Sequence, residues 1–564
     1  MKIFISIILI LLNFTIIFAQ EQIPQTFEGK HHMLSPVEFD GSKNKNFTTT
    51  TPPEGFVRNI AEFEPNQGVI IAYPYMFGIP TDFIRQLSED VKVYLLCSNS
   101  MIATLTQNLQ NSNVNMQNIE FINSQIDSYW TRDYSPLFIE YSEDRKIGLV
   151  DFPYNRPRPN DDDIPSLFGS FFEADVFGMD LTHTGGNYMT DGLGVAASCD
   201  LVYTENSDLS YEEITTMVES YLGITNYHLL EDPLDDYIEH IDCWGKFLDI
   251  DKILITKVSS TDYRYADFEA MADYWANQTS SYGNKYKVYR TYSPNGQPYT
   301  NSLIVNNKVY VPIVSGTGSQ YNTDALETYE NAMPGYEIIG ISHTTWESTD
   351  ALHCRTHEVP DFEMLRISHF PFVDTVSLRN NYDFTAEIYC LNNSGSITSV
   401  SLFLKINNGD FTEYEMTNIQ DNIYSISLEN FNQNDSICYF IKATDSNLKT
   451  ENHPYIGHYD PHKFYIKDSQ TTDAINVNIE EKYIKAFPNP VKNVLYIIAN
   501  NLPEDIYQIS IFNQQGNILK TFELNISNNQ WNKFDLDISD LSSGFYFINA
   551  TNNKNSYSSK FVKQ

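Results

Sequence analysis

Gly68-Val69-Ile70-Ile71-Ala72-Tyr73, then Thr81 to Asp90, then Val91-Lys92-Val93-Tyr94-Leu95-Leu96: this stretch sets the fold class. The first and last runs are short and apolar, as strands buried on both faces are. The segment between them reads as a helix. The alternation recurs further on. Tyr211 to Leu222 reads as a helix with Glu212 and Glu213 in its first turn, Lys252 to Val258 as a strand, and Tyr265 to Gln278 as a helix. Strands alternating with helices mean an α/β domain. Its expected extent is 55–370, large for one domain.

Working outward, the N-terminus carries Lys2, an almost wholly apolar run from Ile3 to Phe18, then Ala19 and polar Gln20-Glu21-Gln22. That is the pattern of a secretory signal peptide over 1–19. A retained anchor is the alternative, but the run is short for a membrane span and nothing later resembles one. Residues 20–54 read as an extended leader. After 370 the pattern changes to short alternating strands, such as Ser399 to Ile406, Ile423 to Leu428 and Ile437 to Thr444. Turn signals such as Asn407-Asn408-Gly409-Asp410 separate them. About a hundred residues of this kind, 371–467, suggest an immunoglobulin-like β-sandwich. Residues 468–485 read as a polar linker, and 486–564 are strand-like again, with no exact internal repeat.

The chain has 564 residues and a formal net charge of −37. Such a charge argues against a nucleic-acid partner and for solubility outside the cell. It attracts cationic peptides, weakly at physiological salt. With 38 Tyr and 35 Phe the chain is too aromatic to be disordered. Six cysteines are too few for a disulfide scaffold of this length. Cys390 and Cys438, both in strand-like segments, could pair across the sandwich. Cys97, Cys199 and Cys243 have no assigned role.

The chemistry centres on His240-Ile241-Asp242 and Cys354. A thiol is a good nucleophile as a thiolate, and a nearby imidazolium is a common way to hold it so. Asp242, two residues from His240 and expected on the same face of a strand, can orient the ring or bind a cation. Burial lowers the histidine pKa while Asp242 and Glu239 raise it, which suits a general acid that later becomes a base. His353, Arg355 and His357 flank Cys354 and are expected to favour the thiolate. A rival reading makes His353, Cys354 and His357 zinc ligands, but no CxxC or HxxxH partner accompanies them. Trp130-Thr131-Arg132-Asp133 offers an acid beside an aromatic face, suited to a cation, or else a surface ion pair of little worth. In Asn155-Arg156-Pro157-Arg158-Pro159-Asn160 the prolines fix an extended backbone, so Arg156 and Arg158 point the same way. Two arginines so displayed make a rigid anion clamp, matched to a carboxylate. The bland alternative is a solvated basic loop. Asp161-Asp162-Asp163 lacks EF-hand spacing and reads as a solvated loop. His183-Thr184-Gly185-Gly186-Asn187 reads as a glycine-supported turn.

In this order these motifs resemble the guanidine-modifying (pentein) superfamily, and more narrowly the bacterial peptidylarginine deiminases related to agmatine deiminases. The resemblance covers roughly 55–370 and includes Asn301 and Leu352-His353-Cys354. It implies a fold of five ββαβ units arranged as a propeller around a central site. It implies that Cys354 attacks the guanidinium carbon, that Asp133 and Asp242 bind the guanidinium nitrogens, and that His240 protonates leaving ammonia and then activates water. Asn301 would position the cysteine, and Trp130 and Ile238 would wall the substrate slot. Arg156 and Arg158 match arginines that hold the α-carboxylate of a C-terminal arginine. Glu347-Ser348-Thr349-Asp350-Ala351-Leu352 departs from the glycine-rich run of agmatine deiminases. No metal and no cofactor are expected.

Ala486-Phe487-Pro488-Asn489-Pro490, Leu541-Ser542-Ser543-Gly544-Phe545-Tyr546 and Lys560-Phe561-Val562-Lys563 resemble the type IX secretion sorting domain of the Bacteroidota; the alternative is a plain second sandwich. This implies passage through the periplasm to the outer-membrane surface or the medium, with the type IX machinery as a partner. The expected substrate is an arginine-containing peptide or protein. Rivals are an agmatine or free-arginine deiminase and, in another class, a catalytically silent surface-binding protein.

Overall fold

The computed structural model describes residues 47–467, 483–487, 494–500 and most of 502–563. The expected signal peptide, most of the leader and nearly all of the 468–485 linker lie outside the described residues. Among the described residues no helix is long and apolar enough to cross a membrane.

Residues 57 to 360 build five separate sheets on one plan. Each has an antiparallel strand pair, a helix, and a strand parallel to its predecessor. In chain order the first holds Leu137–Tyr141, Lys146–Asp151 and, after helix Ile164–Phe172, Val176–Gly178. Val57–Asn59 adds a fourth strand at its edge. The second holds Met189–Thr190, Val195–Cys199, helix Tyr211–Leu222 and Asn226–Leu230. Gly245–Asp249, Lys252–Lys257, helix Tyr265–Asn277 and Lys287–Tyr292 make the third. Leu303–Val305, Lys308–Ile313, helix Asn322–Ala332 and Glu337–Ser342 make the fourth. The fifth joins both ends of the domain: His357–Pro360 pairs antiparallel with Asn66–Ala72, which runs parallel to Lys92–Cys97 and, through it, to Ile119–Asn123. Among the described residues no strand of one sheet pairs with a strand of the next.

Local chemistry explains the elements. In helix Thr81–Asp90 the buried residues Phe83, Ile84 and Leu87 fall at helical spacing and face the sheet. Helix Tyr211–Leu222 starts at a capping box, with Ser210 Oγ accepting from Glu213 N at 3.2 Å and Ser210 N donating to Glu213 Oε2 at 2.8 Å. It ends at Gly223, whose φ of +70° is a left-handed cap.

Beyond the five sheets, a sheet of Leu365–Ser368, Asn381–Cys390, Ile423–Glu429 and Thr417–Gln420 faces another built on Ser436–Asp445 and Ile397–Ile406. They share a core that includes Tyr382, Phe384, Leu402, Tyr439 and Phe464. Cys390 and Cys438, which could have paired, do not, and all six cysteines are free thiols. Strand parity is the reason. Cys390 follows Tyr382, Phe384 and Ile388 on the inward face, whereas Cys438 lies between buried Ile437 and Tyr439 and points outward. The C-terminal strands form a three-stranded and a four-stranded sheet, 483–537 and 505–563, sharing a core of Leu495, Ile497, Tyr507, Ile509, Ile548 and Phe561.

Candidate active site

Each of the five sheets is preceded in the chain by a short segment carrying polar residues of unusual depth. Trp130 to Asp133 precede Leu137–Tyr141, and Gly185 to Asn187 precede Met189–Thr190. His240 to Cys243 precede Gly245–Asp249, Asn301 precedes Leu303–Val305, and Cys354 precedes His357–Pro360. Asp133, Asn187, His240, Asp242, Asn301 and Cys354 are all buried. Hydrogen bonds and close contacts knit these segments together. Arg132 N donates to Cys354 O at 3.2 Å, and Thr300 Oγ1 donates to Cys243 O at 2.9 Å.

Asn301 organises the thiol. Its Nδ2 donates to Cys354 Sγ at 3.1 Å, while its Oδ1 accepts from His353 N at 2.9 Å and Cys354 N at 3.2 Å. Asp242 Oδ2 lies 3.6 Å from Cys354 Sγ and 2.7 Å from His353 Nδ1. The stretch around Asp242 is a 3-10 turn, Ile241–Cys243, and not the strand expected from sequence. The tight turn aims Asp242 and Cys243 together at Cys354. Cys243 Sγ is 3.5 Å from Asp242 Oδ1.

The flanking residues do not supply the expected positive field. Burial, aided by Arg132 and Lys246, pushes His353 down to about 3, and burial pushes His357 down to about 4, so both rings are neutral. Arg355 is held by Asp350, with Nη2 2.6 Å from Oδ2. A hydrogen bond with Cys243 lowers the Cys354 pKa, but burial and the carboxylates of Asp242, Asp350 and Asp133 outweigh it and raise the thiol to about 11. Nor do His353, Cys354 and His357 form a ligand set. His353 Nε2 turns instead to Glu62 Oε2 at 3.1 Å, and His357 packs beside Phe138.

Asp133 sits opposite in chemistry to a surface acid. Burial raises its pKa to about 6 against the pull of Arg156 and Arg158. Its Oδ1 has no hydrogen-bond partner among the described residues and lies 3.6 Å from His240 Nδ1. The neighbouring Arg132 pairs not with Asp133 but with Glu358, at 2.5 Å. Gly186 lies against both groups: a Cβ there would sit 2.5 Å from His240 Nδ1 and 2.6 Å from Asp133 Oδ1. A Cβ on Gly185 would sit 2.1 Å from Arg132 O. The two glycines are what allow the segments to close up.

The arginine pair is buried and is not a solvated loop. Arg158 Nη1 donates to Tyr154 Oη at 2.9 Å, and its guanidinium lies 4.5 Å from the Trp130 ring centroid. Arg156 lies 3.8 Å from Glu205, and burial lowers its pKa while raising that of Glu205 to about 8. The acidic run, expected to be solvated, is also buried at its first two positions. Asp161 accepts from Asp127 N at 2.7 Å and from Ser128 Oγ at 2.7 Å, and Asp162 from Tyr154 N at 2.6 Å. These bonds lash the arginine segment to the Trp130 segment. Ile238 is half-buried against the largest core cluster.

Sequence reasoning missed Glu62, Cys243 and Glu205, and it weighed His353 only as a thiolate helper or zinc ligand. The Glu62 carboxylate, which also binds Lys246 Nζ at 2.5 Å, has its partners Lys246, Ile304 and His353 far away in sequence. Adjacency of Cys243 to Asp242 was the one available signal.

A thiol positioned by an amide, with buried acids and an imidazole on the companion loops, suits hydrolysis of an amidine C–N bond, the work of a deiminase. Residues 58–360, more than half of the chain, match the Porphyromonas-type peptidyl-arginine deiminase family, and the chain belongs to that family. A Legionella pneumophila protein provisionally named agmatine deiminase is 27% identical over 250 residues, covering 40% of this chain and 70% of the relative. A Selenomonas ruminantium protein of the same provisional name is 24% identical over 273 residues, covering 43% and 72%. A crystal structure of another protein so named superposes with a TM-score of 0.50 at 19% identity, covering 55% of this chain and 98% of the other. That likeness is one of fold. Residues 485–564 match the secretion-system C-terminal sorting domain, which marks the chain for export through the type IX route to the surface or the medium.

Proposed function

We propose that the protein is a secreted or surface-attached peptidylarginine deiminase that prefers a C-terminal arginine. It converts the guanidinium to the urea of citrulline with release of ammonia. The five sheets are the blades of a five-fold ββαβ propeller, with the segments before each first strand at its centre. The observation that carries the substrate reading is the pair Arg156 and Arg158, both buried and both acting on Asp133. A substrate gripped by Asp133 through its guanidinium brings its other end toward two guanidinium groups. A peptide α-carboxylate suits that place. Agmatine, which ends in an ammonium, would meet repulsion there.

The chemistry follows from the charges. In the free protein the thiol is protonated, held so by burial and three acids. A planar cation bridging Asp133 and Asp242 cancels those charges and lowers the thiol pKa, so that the thiol passes its proton to His240 and the substrate activates its own nucleophile. The Cys354 thiolate forms a C–S bond to the guanidinium carbon. One C–N bond breaks, and the leaving nitrogen takes a proton from His240 and departs as ammonia. His240 then accepts a proton from water, whose oxygen attacks the thiouronium carbon, and the C–S bond breaks to free citrulline. Asn301 holds the sulfur in line throughout. Trp130 and Ile238 flank the side-chain slot.

The test is a comparison of kcat/KM on a C-terminal arginine peptide, an internal-arginine peptide, free arginine and agmatine. Arg156→Ala with Arg158→Ala should hurt the first far more than the second, by about 1.5–3 kcal/mol for each charge-assisted hydrogen bond removed. Equal rates on agmatine, or a uniform loss in the double variant, would refute the reading.

A further inference from the structure

Cys243 has no place in the steps above, yet it is buried against the nucleophile. Its Sγ, Cys354 Sγ and a carboxylate oxygen of Asp242 all lie within 4.8 Å of one another. Cys243 Sγ stands 3.5 Å from Asp242 Oδ1 and Cys354 Sγ 3.6 Å from Asp242 Oδ2, one sulfur against each carboxylate oxygen. A tetrahedral zinc with Zn–S bonds of about 2.3 Å and a Zn–O bond of about 2.0 Å needs sulfur–oxygen separations of about 3.5 Å, the separation each sulfur already keeps from its own oxygen, and one oxygen serves both once the carboxylate turns. We propose that Cys354, Cys243 and Asp242 form a site for a thiophilic divalent cation, zinc above all, whose occupancy withdraws the nucleophile and shuts the enzyme off. The proposal rests on the reading of Cys354 as nucleophile for its inhibitory consequence, but not for the binding itself.

Three further observations favour a dication there. The acids that surround the thiol, Asp350 and Asp133 besides Asp242, act on Cys354 and give the site a negative field. Asp242 Oδ2 is already oriented by His353 Nδ1 at 2.7 Å, the kind of hydrogen bond that holds a ligating carboxylate in place. And Cys243 borders a cavity of about 240 Å3 lined also by Thr256, Arg264, Asn295, Gln297 and Ser348. Binding replaces both thiol protons by two metal–sulfur bonds and releases two H⁺, so affinity rises with pH. The soft sulfur pair selects zinc over calcium or magnesium, which prefer all-oxygen sites.

The experiment uses the full exported chain and two readouts. Cobalt(II) added to the substrate-free protein should give the near-ultraviolet charge-transfer band of two thiolates at one equivalent, displaced by zinc and abolished in Cys243→Ala and in Cys354→Ala. In parallel, zinc should inhibit deimination of a C-terminal arginine peptide, with activity restored by a chelator. Relative to wild type, Cys243→Ala should raise the zinc concentration for half-inhibition by about 100-fold or more. If that variant fails to fold, Cys243→Ser keeps the volume and supplies the same comparison. A cobalt spectrum with one thiolate or none, or equal zinc sensitivity in wild type and the Cys243 variant, overturns the proposal. A protein that binds cobalt through two thiolates but turns over none of the arginine substrates would overturn the proposed function and leave the site standing.

Discussion

Asp133→Asn should inactivate the enzyme and at the same time make the substrate-free protein more stable. Burial raises the Asp133 pKa from the ordinary 3.8 to about 6, the reverse of what a structural carboxylate shows. Between those two values the folded protein binds more protons at this position than the unfolded chain does. Stability therefore falls as pH rises through that window, and the full cost is present above about pH 6. Two pKa units at about 1.36 kcal/mol each put that cost near 3 kcal/mol. Asparagine keeps the shape and removes the charge, so the cost disappears. With an unfolding entropy of about 0.6 kcal/mol per kelvin for a domain of this size, the gain is about 5 °C in Tm at pH 7.5. The difference should shrink to about 0.5 kcal/mol at pH 4, where Asp133 is protonated in the fold and the unfolded carboxyl is only about half ionised. Differential scanning calorimetry of both proteins from pH 4 to 8 measures this, and subtracting the curves isolates Asp133 from the other buried acids. Activity should go the other way, with kcat/KM down by about 100- to 1,000-fold, because a neutral amide cannot balance a guanidinium in a dry site. If the variant is less stable than wild type at pH 7.5, or its pH curve parallels the wild type, then Arg156 and Arg158 already neutralise Asp133 and no charge is held in reserve for the substrate.

Other outcomes follow from the same geometry. Cys354→Ala should abolish citrulline formation with an unchanged circular dichroism spectrum; residual turnover would exclude Cys354 as nucleophile. Gly186→Ala, which sets a methyl 2.5 Å from His240 Nδ1, should lower kcat at least tenfold while costing about 1–3 kcal/mol in denaturant unfolding. Asn301→Ala should cost about 1–3 kcal/mol, because the Cys354 N–H loses its acceptor while the His353 N–H keeps Asn301 O at 3.1 Å, and should also slow alkylation of Cys354. In the free wild-type protein, iodoacetamide labelling of Cys354 should be slow at pH 7 and climb until about pH 11; a plateau near neutrality would mean a resting thiolate.

The α/β alternation was legible because burial imposes it. Thr81–Asp90 and Tyr211–Leu222 fall where apolar spacing and first-turn acids put them. The five-sheet repeat was not legible, because backbone pairing builds it and different side chains fill each unit: Met189–Thr190 and Leu137–Tyr141 hold the same place with nothing in common. The site residues were named from their order along the chain, and the structure draws together Cys354, Asn301 and Asp242, and separately His240 with Asp133. What sequence misjudged was their charge. Basic neighbours of Cys354 promised a thiolate, but a side chain's charge depends on depth and partners, which adjacency does not report. His353 and His357 are neutralised by burial, and Arg355 is tied to Asp350.

That misjudgement bears on how such an enzyme survives outside the cell. A permanent thiolate would be open to every oxidant and electrophile in the medium. Here burial raises the thiol pKa, and two of the three acids that add to it, Asp242 and Asp133, are the ones assigned to grip the guanidinium. One pair of charges thus does two opposed things. Without substrate it keeps the sulfur protonated, and with a cation between them it stops doing so. The price is selectivity: any dication that prefers sulfur meets the same negative field, and Cys243 completes a ligand set for it. An enzyme built on substrate-triggered ionisation should therefore show its greatest zinc sensitivity when substrate is absent, with saturating arginine peptide protecting it competitively. Noncompetitive inhibition would place the metal elsewhere and sever zinc inhibition from the charge switch at the thiol.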